Sequence, residues 1–412
     1  MTRHSDRTLR RLILAGAAVA TLFGGLAARA ATDLTVWHAY RGDEKAAFEK
    51  VVAQFNAKQK DVVVKTLAVP YDAYADKISA SVPRGKGPDV FIFAQDRLGG
   101  WVEAGQTIEP IDFYVDEKVT SQLVPGMMAA MTYRDTIYGL PLNYKSIAMI
   151  YNTAMVKTPP KTTGELVKVA KSMTDAKIGR FGLAYEYSNF FFHAALMNAF
   201  GGQVFGPGPT PTVDSPQNVA AVKLMLKWYK QDGILPADPS ATLIASLFNE
   251  GKSPIVFSGP WFLGEVQDKV KYAVAPLPTV DEAGGKPMRP WMTVEGVYIA
   301  AGSKNKDVAY DFVKYVTDVE AAKIMAVEGR QTPANKLVYN DPQVGNDPIL
   351  KVFRQQVETA VPMPNLAEMS MMWTPASSAM AAVVQKSATV KAALDQAQKE
   401  VVESVKLLRK QQ

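Results

Sequence analysis

Short apolar runs that alternate with amphipathic helical segments are the feature of this sequence that most limits its fold. The runs at 62–69 (VVVKTLAV) and 89–94 (DVFIFA) are largely apolar, as expected for strands of a parallel sheet covered on both faces. Between a strand-like run at 33–40 and the run at 62–69, apolar residues recur at the spacing of one buried helix face. These residues are Phe48, Val51, Val52 and Phe55. The alternation predicts an α/β architecture from about residue 31 onward.

The same alternation begins again at 138–152 and predicts a second lobe. FGLAY, at 181–185, has the composition of a further strand. Ser215 and Pro216 are suited to the N-cap and first position of a following helix. No low-complexity linker separates the two halves, so ordered crossovers must join them, as in a hinged protein with discontinuous lobes. The predicted lobes comprise residues 31–140 plus 296–340 and residues 141–295 plus 341–412.

Residues 1–30 have the organisation of a cleavable secretion signal. A basic lead precedes the apolar stretch LILAGAAVATLFGGL, and Ala28-Arg29-Ala30 places small residues where a signal peptidase reads them. The apolar stretch has 15 residues, fewer than the roughly 20 that cross a bilayer, which disfavours a membrane anchor. We expect cleavage near Ala30 and a periplasmic protein. The paired arginines leave both the general and the twin-arginine export routes open.

The composition disfavours several classes of function. The chain has no cysteine, hence no disulfide, no thiolate zinc site and no cysteine for a lipid anchor. Beyond residue 30 its histidines are His38 and His193, and it has neither a nucleophile elbow nor a phosphate loop. The net charge of +6 includes five arginines and one aspartate in residues 1–30, which leaves the remainder near +2. We therefore expect no catalytic residue, no metal ligand, no cofactor and no nucleic-acid partner.

Polar and aromatic side chains gather where the predicted strands end. Ligands of open α/β sheets bind outside the carboxyl ends of the strands. A sugar needs hydrogen-bonding carboxylates, amides and arginines for its hydroxyls, and aromatic rings for its C–H faces. This mixture predicts a binding site for a polar, uncharged ligand. Its candidate residues are Tyr40, Arg41, Phe93, Asp96, Arg97, Asn143, Lys145, Asn189, Phe191, Trp261, Trp291, Glu295 and Trp373.

Several of these residues have a structural alternative that the sequence leaves open. Asp96 and Arg97 could form a surface ion pair, or Asp96 could stabilise a helix start. Trp261, which follows Gly259 and Pro260, could belong to the core. His193 fits a buried structural histidine better than a ligand contact.

Four stretches, GPDVFIFAQDRLGG, IYNTAMVKTPPKT, FNEGKSPIVFSGPW and MPNLAEMSMMW, resemble in order and spacing the signature stretches of the maltose and maltodextrin-binding proteins. The resemblance extends over nearly the whole chain after residue 30. It implies a two-lobe periplasmic-binding fold with a ligand cleft between hinged lobes. It also implies a monomeric sugar receptor, not an enzyme, that delivers an oligosaccharide to the inner-membrane permease subunits of an ABC importer.

Carried over by position, the resemblance implies sugar-hydroxyl contacts for Asp96 and Arg97 and stacking for Trp261 and Trp373. Phe93 stands where the family often has tryptophan, and Phe191 is the best match to a family tyrosine. Two departures put the identity of the sugar in doubt. Lys145 replaces the family's acid between the lobes, and Ser377 replaces an arginine that follows the last tryptophan.

Two other functions are compatible with parts of the sequence. Arg41, Arg97 and Lys145 suit a receptor for a phosphorylated or otherwise anionic solute. A secreted glycoside hydrolase would need two carboxylates about 5 to 9.5 Å apart across the scissile bond. The sequence has no barrel-like repeat of strands and helices, and this absence disfavours the enzyme.

Overall fold

The computed structural model describes residues 31–237 and 239–410, and the predicted secretion signal lies outside this part of the chain. Its longer strands form two sheets, as the alternation predicts. The strands are β1 (Thr32–His38), β2 (Val62–Ala68), β3 (Val90–Ala94), β4 (Thr132–Tyr133), β5 (Thr136–Ile137), β6 (Gly139–Lys145), β7 (Ala148–Asn152), β8 (Ile255–Ser258), β9 (Tyr272–Ala275), β10 (Thr279–Val280), β11 (Lys286–Pro287), β12 (Trp291–Ile299) and β13 (Val361–Pro362).

Helices connect the strands and cover both sheets. They are α1 (Gly42–Lys58), α2 (Tyr71–Ser81), α3 (Leu98–Ala104), α4 (Glu117–Thr120), α5 (Pro125–Ala130), α6 (Thr163–Met173), α7 (Phe190–Ala199), α8 (Pro216–Leu226), α9 (Ala241–Asn249), α10 (Lys306–Val316), α11 (Val319–Val327), α12 (Pro342–Gly345), α13 (Pro348–Thr359), α14 (Met369–Val384) and α15 (Val390–Lys410). Among these described helices, none has the length and apolarity needed to cross a membrane.

The larger sheet has six strands. β1 pairs in parallel with both β2 and β3, whereas the long strand β12 is antiparallel to β3 and β6. β13 adds to the first two residues of β12. Since β1, β3 and β6 run in one direction, their carboxyl ends meet at one edge of the sheet, where the predicted polar residues lie.

Both faces of the larger sheet are buried. Val90 and Ile92 of β3 pack on one face with Phe48 of α1. Phe91 and Phe93 of the same strand pack on the opposite face. Successive strand residues point to opposite faces, so a strand covered on both sides must be apolar at every position. This requirement explains the uninterrupted apolar run that the sequence contains.

A three-stranded antiparallel sheet, in the order β8-β7-β9, organises the second part of the molecule. Only Ser146 and Ile147 separate β6 of the larger sheet from β7 of the smaller one. The larger sheet includes β6 and β12 whole, so residues 140 and 295, where we predicted lobe boundaries, lie inside its strands. The division into lobes at those residues stays a prediction.

The capping residues in the sequence correctly predict the start of the helix at Pro216, whereas the strand predicted at 181–185 is wrong. Ser215 caps α8, because its hydroxyl accepts a hydrogen bond from the backbone N–H of Asn218, and Pro216 is its first residue. The segment 181–185 is not a strand, because it makes only a single bridge, between Ala184 and Val256. Its Gly182 packs directly on the backbone of Ala170.

The glycine pair Gly99-Gly100 brings distant parts of the chain together. A Cβ on Gly99 would overlap the carbonyl oxygen of Asn365 and lie 2.5 Å from the backbone nitrogen of Ala367. A Cβ on Gly100 would lie 2.7 Å from the hydroxyl oxygen of Ser370. The segment that approaches these glycines leads into α14, which carries Trp373. The two glycines therefore permit the contact that holds Trp373 near the end of β3.

We expect Gly99→Ala to lower the free energy of unfolding by roughly 1–3 kcal/mol, because the new methyl group meets backbone that cannot move aside easily. Gly126→Ala is the matched control, since it changes a helical glycine whose added Cβ would meet nothing within 4 Å. That control is expected to be neutral or to stabilise by about 0.5–1 kcal/mol through helix propensity. Urea unfolding measures both, and equal stabilities of the two variants would contradict the packing argument.

Candidate functional site

Lys145 lies at the centre of a buried charged network. Its Nζ is 2.9 Å from Oε1 of Glu44 and 2.9 Å from Oε1 of Glu295. Tyr40 donates its hydroxyl hydrogen to Oε2 of Glu295 at 2.9 Å. The amide of Asn143 also donates to this oxygen, at 3.4 Å. Four of the predicted site residues, Tyr40, Asn143, Lys145 and Glu295, thus belong to one network.

The pairing of β6 with β12 brings the residues of this network close together. Lys145 pairs with Thr293 and Asn143 pairs with Glu295, and the register shifts just after Glu295. Glu44 reaches the same place from the first turn of α1, where it also accepts a hydrogen bond from Nε2 of Gln331 at 2.6 Å. Lys145 therefore links one helix and two strands.

The network shifts the ionisation of its members. Burial raises the pKa of Glu44, and the positive charge of Lys145 only partly opposes this effect. Burial alone would lower the pKa of Lys145, but the charges of Glu295 and Glu44 outweigh it and raise that pKa overall. Lys145 therefore stays charged, and the triad of one cation and two carboxylates carries a net charge of −1 when both acids are ionised.

Asp96 is the centre of a second group, at the carboxyl end of β3. It lies in the single 3₁₀ turn Gln95–Arg97 and is 3% exposed. Its Oδ2 accepts a hydrogen bond from Nε1 of Trp373 at 3.0 Å and lies 3.3 Å from Nε of Arg97. Of the two structural alternatives, the surface ion pair is wrong in its position, because Asp96 lies close to Arg97 but is buried. No cap hydrogen bond from Asp96 is found in this described turn. Burial raises the pKa of Asp96 to about 6.

Two aromatic candidates lie behind this group. Trp291 is 2% exposed, and its ring centroid is 5.8 Å from that of Trp373. Phe93 is 4% exposed, and the ring of Tyr71 stacks on it. In this structure both candidates support another ring that is closer to solvent. Direct ligand contact by either residue stays a prediction.

The third group lies on the part of the molecule built around the smaller sheet. Trp261 is half-buried, with its ring centroid 6.2 Å from that of Phe191 and 6.3 Å from that of Phe192. Lys145 Nζ lies 5.9 Å from the Trp261 ring and 5.2 Å from the Tyr40 ring. Trp261 therefore joins the third group to the charged network.

Asn189 and His193 belong to the helix that carries Phe191. The side-chain oxygen of Asn189 accepts a hydrogen bond from the backbone N–H of Phe191, which caps α7. His193 is buried as expected, and burial lowers its pKa to about 4. Among the described residues neither of its ring nitrogens has a hydrogen-bond partner. The histidine is therefore neutral and structural in this position.

Arg41 bridges the two parts of the molecule. Its Nε is 2.7 Å from Oε1 of Glu265. A Cβ on the neighbouring Gly42 would lie only 3.1 Å from the carbonyl oxygen of Gly264. A small pocket lies between the two surfaces. Its lining includes Arg41, Glu265, Trp261 and Glu186, and burial raises the pKa of Glu186 to about 7.

Sequence reasoning missed two residues that contact the predicted site residues, Glu44 at Lys145 and Tyr71 at Phe93. Glu44 lies four residues before Phe48, on the buried face of α1. An acidic residue within the apolar stripe of a helix was the sequence feature that could have identified it. Tyr71 begins α2 directly after Pro70. Its position shortly after β2 resembles that of the other candidates, which also follow strands.

Lys145→Met tests the charged network. Because it leaves Glu44 and Glu295 buried without a cation, we expect the free energy of unfolding to fall by about 3–5 kcal/mol at pH 8. Burial already raises the pKa of Glu44, and the variant would lose the cation that opposes this rise, so its folded form would bind a proton more readily as the pH falls. The deficit should therefore be smaller at pH 5 than at pH 8.

Lys50→Met is the matched control for this variant, because Lys50 lies 2.6 Å from Glu328 in a pair that is nearly half-exposed on both sides. Such a pair contributes at most about 1 kcal/mol. Urea unfolding at the two pH values compares the variants. Equal, small losses for Lys145→Met and Lys50→Met would show that the buried network does not stabilise the fold.

Comparison with known proteins agrees with this architecture. The pattern of the bacterial extracellular solute-binding proteins matches residues 50–352. A maltotriose-binding protein of Pyrococcus abyssi is 33% identical over 90% of this chain and 82% of its own. A galactooligosaccharide-binding protein of Bacillus subtilis is 29% identical over 89% of this chain and 88% of its own.

A solved structure of similar fold is the Thermus thermophilus maltotriose-binding protein bound to maltotriose. It superposes with a TM-score of 0.83 at 25% identity and covers 90% of this chain and 100% of that one. This match confirms the predicted two-lobe α/β fold. With a family pattern that spans most of its length, the chain belongs to the bacterial extracellular solute-binding proteins.

Proposed function

We propose that this protein is the receptor of an ABC importer, which binds a neutral maltodextrin-type oligosaccharide between its two lobes and delivers it to the permease. The observation that carries the proposal is the pairing of aromatic rings with carboxylates in two groups. The indole of Trp373 donates to Asp96 at the end of β3, and Trp261, whose ring lies 6.2 Å from that of Phe191, lines one pocket with Glu186. Rings pack on the C–H faces of a sugar, while carboxylates accept hydrogen bonds from its hydroxyls.

The pairing of the cations favours a neutral ligand over an anionic one. Arg41 is paired with Glu265, and Arg97 lies beside Asp96. Lys145 is held by two carboxylates. An anionic solute would have to compete with these acids for each cation and would meet their negative charges, which is most costly at Lys145 because little of its side chain is exposed. The phosphorylated ligand that these three cations suggested is therefore the weaker proposal.

The printed names of the relatives support an oligosaccharide but differ in the sugar. One relative binds maltotriose and another galactooligosaccharides. The maltotriose binder has the higher identity to this chain, and the resemblance of the four signature stretches points the same way. A galactooligosaccharide is thus the second candidate ligand. Lys145, which replaces the acid expected from the resemblance, is a residue at which the two sugars could be distinguished.

The proposal includes a non-enzymatic, monomeric receptor whose partners are the sugar and the inner-membrane permease subunits, without nucleic acid. Closure around the ligand would exclude water and create the surface that the permease recognises. We propose the lobe division at 31–140 plus 296–340 and 141–295 plus 341–412, adjusted so that the strands β6 and β12 stay whole in the larger sheet.

Trp261→Ala and Trp373→Ala test the stacking rings. Loss of a large ring contact should weaken maltotriose binding by about 2 kcal/mol, or about thirtyfold in Kd. Asp96→Asn preserves shape and should also weaken binding by removing a charge-assisted hydrogen bond. Calorimetric titration with maltotriose, a galactooligosaccharide and glucose 6-phosphate measures the affinities. Phe113→Ala, which changes a ring that is 94% exposed, is the control.

Melting of the ligand-free variants separates binding from folding. If the two tryptophans are only core residues, their truncation should cost roughly 3–5 kcal/mol of stability without ligand. Three variants with wild-type affinity would contradict the assignment of the site. Binding of glucose 6-phosphate alone would replace the proposed ligand with an anionic one.

We also propose export to the periplasm with cleavage of residues 1–30, because these residues have a basic lead, an apolar stretch and small residues before Ala31. Mass spectrometry of periplasmic protein should then identify a mature N-terminus at or near Ala31. Recovery of only the intact precursor, held in the membrane fraction, would refute this part of the proposal.

A further inference from the structure

Tyr71 is an aromatic residue with an unusual combination of exposure and position. Its side chain is 59% exposed, although it is the first residue of α2 and follows the strand end of β2 closely. Its ring lies nearly parallel to that of Phe93, with 9° between the planes and 5.4 Å between the centroids. One face of the Tyr71 ring thus covers Phe93, and more than half of the side chain remains open to solvent.

This stacking changes the role available to Phe93. Phe93 is 4% exposed and is also packed edge-on against Tyr74 and Trp101. With the Tyr71 ring stacked on it as well, only 4% of Phe93 remains exposed. The flat apolar face that the larger-sheet lobe presents at this point is that of Tyr71.

The surroundings of Tyr71 place it among the polar residues of the cleft. Loss of hydration raises its pKa, the carboxylates of Asp96 and Glu295 raise it further, and the charge of Arg97 opposes them. Because Phe93 lies in β3 and Asp96 lies in the turn that follows this strand, the ring stacked on Phe93 lies beside the strand end that carries the predicted site residues. Its phenol stays protonated near neutral pH and keeps a hydrogen to donate.

We infer that Tyr71 is the aromatic platform of the larger-sheet lobe, on which a pyranose ring of the ligand packs while Phe93 supports the tyrosine from behind. The inference rests on the proposed function, since it assigns a further residue to the same sugar site. The C–H face of a neutral sugar suits the open ring, and the phenol hydrogen suits a sugar hydroxyl.

Phe113 shows why exposure alone is insufficient for this assignment. Its ring is 94% exposed, but its aromatic contact is an edge contact with the adjacent Tyr114. No parallel ring supports it among the described residues. Phe113 is therefore a matched control for an exposed aromatic side chain that lacks the features of a platform.

Substitutions at Tyr71 can distinguish the contribution of its flat ring to binding from the contribution of its bulk, which covers Phe93. Leucine keeps an apolar cover but has no flat face, so Tyr71→Leu should weaken maltotriose binding about tenfold. Tyr71→Phe keeps the ring and should stay within about threefold of the wild type. Tyr71→Trp enlarges the ring and should bind at least as tightly. Phe113→Leu should leave the affinity unchanged.

Calorimetric titration with maltotriose gives the affinities, and melting of the ligand-free proteins gives the structural effect. An affinity of Tyr71→Leu within twofold of the wild type would overturn this inference and leave the proposed function intact. A loss of affinity accompanied by a matching fall in the ligand-free melting temperature would also overturn it, because Tyr71 would then only stabilise Phe93. A wild-type protein that binds neither maltotriose nor a galactooligosaccharide would overturn both proposals together.

Discussion

The buried ion triad of Lys145, Glu44 and Glu295 is the interaction on which the site depends. Three buried charges are tolerable only when each has a partner of opposite sign and its other polar atoms are hydrogen-bonded. Tyr40 and Asn143 provide those bonds for Glu295, and Gln331 provides one for Glu44. This requirement fixes the relative positions of α1, β6 and β12.

The triad also accounts for the departure from the family pattern at residue 145. The resemblance implies an acid between the lobes at this point, and the chain has a lysine. When both glutamates are ionised, the triad of one lysine and two glutamates has a net charge of −1, the same as a single acid. In that state the negative charge lies on Glu44 and Glu295, which hold Lys145 between them.

Much of the fold could be predicted from the sequence, because apolar residues recur with the periodicity of helices and strands. The stripe of Phe48, Val51, Val52 and Phe55 predicts the buried face of α1, and the structure confirms it. The candidate site was harder to predict, because it depends on which of two neighbouring side chains is exposed and which is covered. A sequence identifies Phe93 as aromatic at a strand end, but it cannot show that Tyr71, 22 positions earlier, covers it. In the same way, Trp291 lies behind Trp373 through a contact between residues 82 positions apart.

The stretch GPDVFIFAQDRLGG combines both kinds of information. Its apolar run forms a strand that is buried on both faces. Its Asp96 accepts a hydrogen bond from Trp373. Its two glycines allow the segment that leads to Trp373 to pack closely against them. Because Trp373 donates to a carboxylate that already lies beside Arg97, the charge of this aspartate is balanced before any ligand arrives. Arg41 is likewise paired with Glu265, and Lys145 lies between two carboxylates. A cleft whose cations are paired internally has little net attraction for an anion, while its paired carboxylates keep oxygens that accept further hydrogen bonds. Hydroxyl groups on a neutral ring can use those oxygens without separating the pairs, and this property is what suits the cleft to a sugar.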